Sequence, residues 1–494
     1  MTTAAATPEV EPAEPKKKRK WLKRTIITIV TVIVVLLALI IGALLWFNIP
    51  TNSAGLAAQS VCSGTFTSGR NADDVFNQDV LPQSPALSVV STSVDEPNRK
   101  VTAKFLGIFS RTASLLPNRG CVLDVTPDPA AQPFTSTPEN PAPWPAGDSA
   151  VPPSQWGAGV NAKGLENAVN EAFVGAGDPK AANARGLAVV QDGKLLIQKQ
   201  ADGFPKDMPL LGWSMTKTVN AMVFYKRANE KGFDPSTLVV DSFPKDREPS
   251  WVADWRNDPQ KSKMTVNDLL GMKSGLDFED DYGPTAKVVQ MLYGEPSMAN
   301  YAASQSMAAD PGTTFAYSTG VADIISQVTQ GMFSNDQEYW DYWNKEVFSP
   351  IGIKDGTFAT DTSGTWVGGS YIYASTGDWA RLGQLMLSDG AWDSKQVVPQ
   401  GWWKFAGTPS LPTGDGNSYG AQTWIPAQPN SGECASYSDI PKDTLSMEGH
   451  YGQVVAMVPS KKAVIVRLGW TVEKTQFDSC KLISDVLKNL PDVK

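Results

Sequence analysis

A run of 22 residues without a charge, at positions 26–47, limits what this chain can fold into. Isoleucine, valine and leucine dominate it, and as a helix it is long enough to cross the hydrocarbon core of a bilayer. A basic cluster at 16–20 precedes it, and such clusters stay on the cytoplasmic side. We therefore predict a cytoplasmic basic tail over 1–20 and a single transmembrane helix over 21–47. The rest of the chain is then periplasmic or otherwise extracytoplasmic.

A cleaved signal peptide is the alternative interpretation of this segment. Signal peptides have an apolar core of about 7–15 residues, so the greater length here favours an uncleaved anchor. The four cysteines agree with export, because disulfides persist outside the cytoplasm. Cys62 and Cys121 both precede a proline-rich stretch, whereas Cys434 and Cys480 both lie late in the chain. Four cysteines allow three pairings, of which we favour pairing within each segment.

Composition excludes several classes of function. A chain of 494 residues that is 41% hydrophobic and 19% charged can bury a large core. Its net charge of −8 argues against a nucleic-acid partner, because phosphate contacts need a basic surface. With a single histidine and no Cys-x-x-Cys pair, the chain offers no histidine-based zinc motif, and we expect no cofactor.

Prolines divide the part of the chain that follows the apolar run. Short apolar stretches typical of strands, at 87–90 and 101–105, occur in an N-terminal segment over 48–126, whose role the sequence does not indicate. Nine prolines then mark a predicted linker over 127–157. Residues 158–494 form one predicted domain, which opens with an amphipathic helix and a hairpin turning at Asp192 and Gly193. Two hydrophobic strands and a helix close it.

Ser214 and Lys217 are spaced so that they share one face of a helix predicted over 216–230. Such a lysine can take the serine proton if burial or a positive neighbour lowers its pKa from about 10.4. The spacing also arises by chance, and Ser242 with Lys245 repeats it. A proline lies within that second copy, where a helix would have to continue, so it does not easily form the same geometry.

Two further segments contain candidate functional side chains. Tyr317 lies in a turn before a predicted helix and could relay protons, although a core tyrosine with a satisfied hydroxyl is the alternative. His450 lies in a turn, followed by Gly452, Gln453 and a predicted strand, where a structural role is the alternative. None of these segments alone establishes a function.

Taken together, five ordered elements of 158–494 resemble the serine β-lactamase and penicillin-binding-protein superfamily, most closely the class C β-lactamase-like hydrolases. The turn at 449–453, which precedes a hydrophobic hairpin, looks most like the 6-aminohexanoate-dimer (nylon-oligomer) hydrolase and esterase-type branch. The elements are the S-x-x-K at 214–217, an L-L-x-H-x-S-G-L-like stretch at 269–276 with Met272 in place of histidine, a P-G-x-x-F-x-Y-S-N-like stretch at 311–319, the segment at 368–383, and His450-Tyr451-Gly452 at the place of K-T-G or H-x-G.

The resemblance implies an α+β fold in three layers, in which an antiparallel sheet is flanked by helices and joined by an all-helical subdomain, as in DD-peptidases. It also implies a serine hydrolase acting on a small-molecule amide or ester. Lys217 would deprotonate Ser214, and the N–H groups of Ser214 and Gln453 would receive the oxyanion. Tyr317 would then protonate the leaving group.

The same resemblance assigns substrate binding to His450, Gly452, Gln453, Thr319 and Tyr282. Thr319 stands where the family has asparagine, and His450 stands where K-T-G has lysine. Both departures argue against efficient β-lactam hydrolysis.

The acidic loop before Tyr282, with Glu279, Asp280 and Asp281, predicts a mobile lid that prefers an amine-bearing substrate, with a solvated acidic loop as the alternative. Two other classes of function stay open. One is a hydrolase in which His450 is the base, and the other is a non-catalytic sensor that binds cell-wall peptides or β-lactams.

Overall fold

The structure is a computed structural model that describes residues 1, 4–6, 17–178, 180–411, 418–426 and 433–493, without the side chains at 17–20, 37, 40 and 41. It divides into two compact units, Met1–Pro50 and Thr51–Lys494. The first contains helix α1 (Lys17–Trp46). Among the described residues, no helix has both the length and the apolar character that crossing a membrane requires. The predicted transmembrane helix over 21–47 is therefore not supported, and most of the predicted tail over 1–20 lies outside the described residues.

The remaining elements alternate between helices and short strands, as expected for an α+β chain. The helices after α1 are α2 (Ile49–Cys62), α3 (Ala72–Val75), α4 (Ala162–Glu171), α5 (Met215–Lys231), α6 (Trp251–Asn257), α7 (Val266–Leu270), α8 (Lys287–Gly294), α9 (Met298–Ser304), α10 (Thr319–Gly331), α11 (Asp336–Trp343), α12 (Thr376–Leu387), α13 (Trp402–Gly407) and α14 (Ser479–Leu487). The strands are β1 (Val90–Asp95), β2 (Lys100–Phe105), β3 (Phe109–Leu116), β4 (Gly120–Leu123), β5 (Ala184–Gln191), β6 (Lys194–Gln200), β7 (Leu210–Leu211), β8 (Thr357–Phe358), β9 (Ile372–Ala374), β10 (Ala391–Trp392), β11 (Lys395–Gln396), β12 (Ser418–Tyr419), β13 (Trp424–Ile425), β14 (Leu445–Gly449), β15 (Gln453–Val458) and β16 (Ala463–Gly469).

A seven-stranded antiparallel sheet forms the centre, with strand order β12-β13-β14-β15-β16-β5-β6. The predicted hairpin is confirmed as β5 and β6, whose turn has positive φ at both Asp192 and Gly193. That conformation is the one a two-residue hairpin with native twist requires, and Asp-Gly adopts it readily. The first and last parts of the domain thus meet, because β16 pairs with β5.

Helices cover both faces of this sheet. On one face Leu187 and Val189 of β5 pack with side chains of α4 and α14, and on the other Ala188 and Val190 join the larger core that contains α5 and α12. Alternate residues of a strand point to opposite faces, so a strand covered on both sides is buried along its whole length, as β5 is. The predicted α+β fold of three layers is confirmed. Helices α6 to α11 form the helical part, with α10 packed on α5, α7 and α9.

The residues between the apolar run and this domain form a meander, β1-β2-β3-β4, beneath helix α2. A buried ion-pair cluster ties them to the central sheet, because Asp79 contacts both Arg70 and Arg185, and Arg185 lies on β5. The proline-rich stretch is tied down too, since Arg381 of α12 donates to the carbonyls of Pro145 and Gly147. Both predicted boundaries of the 127–157 linker fall inside the unit Thr51–Lys494.

The favoured cysteine pairing within each segment is confirmed, as Cys62 bonds Cys121 and Cys434 bonds Cys480. The prediction of a strand at 87–90 is wrong for all but its last residue, because Pro85–Val89 is a 3-10 helix. The residues at the start of this helix explain its formation. The Ser84 hydroxyl accepts from the N–H of Ala86, and a proline follows at the first helical position.

Candidate active site

Ser214 lies at the start of helix α5, directly after Trp213, whose φ of +50° is unusual for a residue with a side chain. This conformation turns the chain sharply from the short strand β7 into the helix. The amides of the next residues, Met215 and Thr216, donate to the carbonyls of Gly212 and Trp213. The N–H of Ser214 has no backbone acceptor among the described residues, and it lies at the positive end of the helix.

Lys217 is fully buried one turn further along α5, and its ammonium group is surrounded by oxygen atoms. Its Nζ lies 2.9 Å from Ser214 Oγ, 2.9 Å from Thr319 Oγ1 and 3.0 Å from the carbonyl oxygen of Gly369. All three acceptors are formally neutral. A buried cation with neutral ligands is poorly stabilised compared with one paired to a carboxylate.

This environment changes the acidity of Lys217. Burial lowers the pKa of the lysine from 10.5 to about 8, and the carboxylates of Asp280 and Asp323 oppose that change only in part. A lysine can act as a base only if its pKa is lowered in this way. Here the pKa of Lys217 is lowered by desolvation rather than by a positive neighbour.

Tyr317 lies beside both of these residues. Lys217 Nζ is 4.7 Å from the centroid of the tyrosine ring, and Tyr317 and Ser214 line the same cavity. The ring stacks on Trp424 with its centroid 5.4 Å away, which fixes its orientation. Burial raises the pKa of Tyr317 well above 10, so the hydroxyl keeps its proton at neutral pH.

His450 belongs to a cluster of aromatic side chains and lines the same cavity as Ser214. Its ring stacks on Tyr282 at a centroid distance of 4.2 Å and packs edge-on against Trp213 at 5.4 Å. Burial lowers the pKa of His450 to about 3, with a smaller effect from Lys474, so the imidazole is neutral at pH 7. The side-chain hydrogen bond described for Ser214 comes from Lys217 rather than from this histidine.

A cavity of about 510 Å³ opens onto these groups. Four of the eight predicted site residues and three carboxylates line it, and its lining residues are Ser214, Asp280, Asp281, Tyr282, Tyr317, Trp424, Glu448, Gly449, His450 and Lys474. Gly452 and Gln453 instead line an adjoining cavity of about 310 Å³, which shares Gly449 and His450 with the first.

The side chain of Gln453 hydrogen-bonds the backbone of its own turn and of strand β16. Its amide nitrogen donates to the carbonyls of His450 and Gly469, and its amide oxygen accepts from the N–H of Gly469. These bonds hold the turn that carries His450. The predicted contribution of Gln453 to an oxyanion site concerns its backbone N–H and stays a prediction.

The decisive comparison with known proteins covers most of this architecture. A family model described as "Beta-lactamase" matches residues 170–477, which is more than half of the chain and includes every residue of the cavity at Ser214. The chain belongs to the beta-lactamase family. Membership makes it a serine hydrolase, in agreement with the resemblance found in its sequence motifs.

Individual relatives of this beta-lactamase-family chain are distant. The 6-aminohexanoate-dimer hydrolase of Paenarthrobacter ureafaciens is 22% identical over 302 residues, which is 57% of this chain and 71% of that protein. A penicillin-binding-protein homologue from Caulobacter crescentus has a TM-score of 0.50 at 13% identity, covering 69% of this chain and 99% of its own. A family VIII carboxylesterase has a TM-score of 0.50 at 14% identity, covering 68% and 99%. At such identities the structural likeness concerns the fold alone.

The contacts of three residues in this beta-lactamase-family site did not emerge from the sequence. Asp280 was predicted to lie in a mobile lid that prefers an amine-bearing substrate, with a solvated acidic loop as the alternative, but its two carboxylate oxygens accept from the N–H and the hydroxyl of Thr319, at 3.0 and 2.9 Å. Asp323 accepts from the N–H of Gly369 at 3.0 Å. The Gly-Gly pair within the 368–383 element is the one signal that pointed to Gly369, and nothing in the sequence connects the two aspartates with Lys217.

Proposed function

We propose that this serine hydrolase cleaves an amide or ester bond of a small molecule through an acyl-enzyme on Ser214. In this proposal Lys217 is the base and Tyr317 is the acid. The observation that carries it is the 2.9 Å hydrogen bond between Lys217 Nζ and Ser214 Oγ, made by a fully buried lysine.

Acylation begins when neutral Lys217 takes the proton of the Ser214 hydroxyl. With a pKa of about 8, about one lysine in ten is neutral at pH 7, against about one in three thousand at the ordinary pKa of 10.5. The serine oxygen then attacks the substrate carbonyl, and the N–H of Ser214 at the helix start stabilises the oxyanion. Burial of the lysine thus supplies a base near the working pH.

Breakdown of the tetrahedral intermediate requires a proton on the leaving amine or alcohol. Tyr317 suits this step, because it lines the same cavity as Ser214 and keeps its proton at neutral pH. After this step Tyr317 is a phenolate. Lys217, which has accepted the serine proton, lies close to the tyrosine ring and returns that proton to the phenolate oxygen. Water attacks the acyl-enzyme in the second half of the cycle, activated by the same two residues.

For the substrate, we propose the chemistry of 6-aminohexanoate-dimer hydrolases and related esterases. The relationship to the Paenarthrobacter ureafaciens enzyme supports an amide, and the cavity at Ser214 supports a linear chain with an apolar part. Tyr282, Trp424 and His450 supply aromatic surface along that cavity. Thr319 replaces the family asparagine, which argues against β-lactams as the preferred substrate.

The two other classes of function receive less support. A histidine with a pKa of about 3, packed between aromatic rings, is a weak base and has no bond to Ser214. A non-catalytic sensor would not need a lysine whose pKa is lowered at the nucleophile.

We also propose an extracytoplasmic location. The two disulfides support it, since cytosolic proteins rarely keep such bonds.

The test is covalent labelling with a fluorophosphonate, followed by intact-mass measurement, in the wild type and in Ser214→Ala. We expect one adduct that is lost in the variant. The labelling rate should rise with pH until about 8, because Lys217 must lose its proton to act as base. A folded wild type that takes no adduct would support the sensor instead.

A further inference from the structure

We propose that Asp280 is a positioning residue for the reaction, which holds Thr319 so that its hydroxyl in turn holds Lys217 against Ser214. The loop over 277–283 would then be part of the proton-transfer machinery rather than only a lid over the cavity. This inference rests on the proposed function of Ser214 and Lys217, and it assigns a task to a residue outside the family motifs.

The geometry is a chain of short hydrogen bonds. Asp280 Oδ1 accepts from the backbone N–H of Thr319 at 3.0 Å, and Asp280 Oδ2 accepts from its hydroxyl at 2.9 Å. Because that hydroxyl donates its only proton to Asp280, its oxygen is left to accept from Lys217 Nζ, at 2.9 Å. Asp280 therefore sets the direction in which the Thr319 hydroxyl points.

A second carboxylate holds the other neutral ligand of the lysine in a similar manner. Asp323 accepts from the N–H of Gly369, whose carbonyl oxygen accepts from Lys217 at 3.0 Å. The two aspartates differ in burial, because Asp323 is fully buried in helix α10, whereas Asp280 is only half-buried in a loop. Burial raises the pKa of Asp323 well above its ordinary value, whereas Asp280 lines the cavity at Ser214 and accepts directly from Thr319.

The groups that face Lys217 come from four parts of the chain. They are Ser214 on its own helix, Asp280 from the loop, Tyr317 and Asp323 before and within α10, and the backbone at Gly369. Of these, the two aspartates are the acidic groups that raise the pKa of the lysine. Loss of the Asp280 charge should therefore make Lys217 easier to deprotonate, while loss of its hydrogen bonds should leave Thr319 misaligned.

The bonds of Asp280 also distinguish this role from recognition of a substrate amine. Both carboxylate oxygens are already occupied by Thr319, so binding an ammonium group would have to compete with them. The neighbouring Asp281 is exposed and lines the same cavity, which makes it the better placed of the two for a cationic substrate.

The experiment measures the rate of fluorophosphonate labelling of Ser214 against pH in the wild type, in Asp280→Asn and in Glu279→Gln. Glu279 is an exposed neighbour on the same loop, and its replacement removes the same charge without touching Thr319. In Asp280→Asn we expect the rising limb to move about one unit to lower pH and the maximal rate to fall about tenfold. Glu279→Gln should keep both the limb and the maximal rate.

An independent readout is the titration of Lys217 by NMR of ¹³C-labelled lysine, assigned with Lys217→Ala, in the same three proteins. A lower pKa of Lys217 in Asp280→Asn, but not in Glu279→Gln, supports the inference even if the wild type takes no adduct. The missing adduct would count against the proposed function only. Unchanged titration and unchanged labelling in a folded Asp280→Asn protein would overturn it. So would equal shifts in Asp280→Asn and Glu279→Gln, which would indicate a general effect of loop charge.

Discussion

Two buried cationic clusters lie within the unit Thr51–Lys494, and they stabilise charge in opposite ways. Arg70 and Arg185 share the carboxylate of Asp79 in direct ion pairs, in a cluster where all three side chains are buried. Lys217 is also buried, but its three ligands are neutral, and carboxylates approach it only through Thr319 and Gly369.

The difference separates a structural cation from a reactive one. Burial raises the pKa of Asp79, but the two guanidinium groups outweigh that effect and hold the pKa below its ordinary value. The cluster therefore stays charged and connects the N-terminal segment to strand β5. At Lys217 the same desolvation has no direct counter-charge to offset it, so the pKa falls to about 8. A buried lysine whose direct ligands are all neutral therefore loses its proton more readily than an exposed lysine does.

Removal of the reactive cation should have the largest effect. Lys217→Ala deletes the proposed base, and we expect the labelling of Ser214 to slow by about 10⁴-fold, as for the loss of one member of a catalytic unit. Lys261→Ala is the matched control, because Lys261 is another largely buried lysine and donates to a carbonyl away from Ser214. Comparable losses in both variants would show that burial of a lysine, and not its contact with Ser214, matters.

Breaking the structural cluster should affect stability and leave the pH profile alone. Asp79→Ala leaves two guanidinium groups buried without their carboxylate, which should lower the free energy of unfolding by about 3–5 kcal/mol in urea titrations. Because the pKa of Asp79 is lowered in the folded chain, its contribution should hold above about pH 4 and decline as the pH falls further. Asp202→Ala, at an exposed position, serves as the control. A loss below about 1 kcal/mol would refute the comparison with Lys217.

The smallest effect on rate is expected for His450→Ala. This histidine is neutral and packed between Tyr282 and Trp213, so its loss should reshape the cavity and slow labelling by less than about tenfold. The rising limb should stay near pH 8, because Lys217 sets it. A decrease near that for Lys217→Ala would make His450 the base after all.

Prediction from the sequence succeeded where local pattern decides the outcome. The Asp192-Gly193 turn, the helix that follows Ser214 and the cysteine pairing were all predicted and are all present. It failed at Pro85–Val89, where a proline and a capping serine override an apolar run. The predicted transmembrane helix finds no support among the described residues.

At the site, sequence motifs brought Ser214, Lys217 and Tyr317 to attention because the chemistry of a nucleophile, a base and an acid restricts the residue types. They did not bring Asp280 to attention, since an acidic loop residue looks the same whether it faces water or a threonine. Its role depends on contacts between segments 39 residues apart.

The sequence by itself determined the family and the class of reaction and predicted Ser214 as the nucleophile, because these follow from short motifs whose spacing is local. Only the tertiary structure decided how readily Lys217 loses its proton. The pKa of Lys217 depends on complete burial and on which atoms surround it, and those atoms come from the loop at Asp280, from α10 and from the backbone at Gly369. Desolvation is a property of the packed whole, so no local pattern in the chain encodes it.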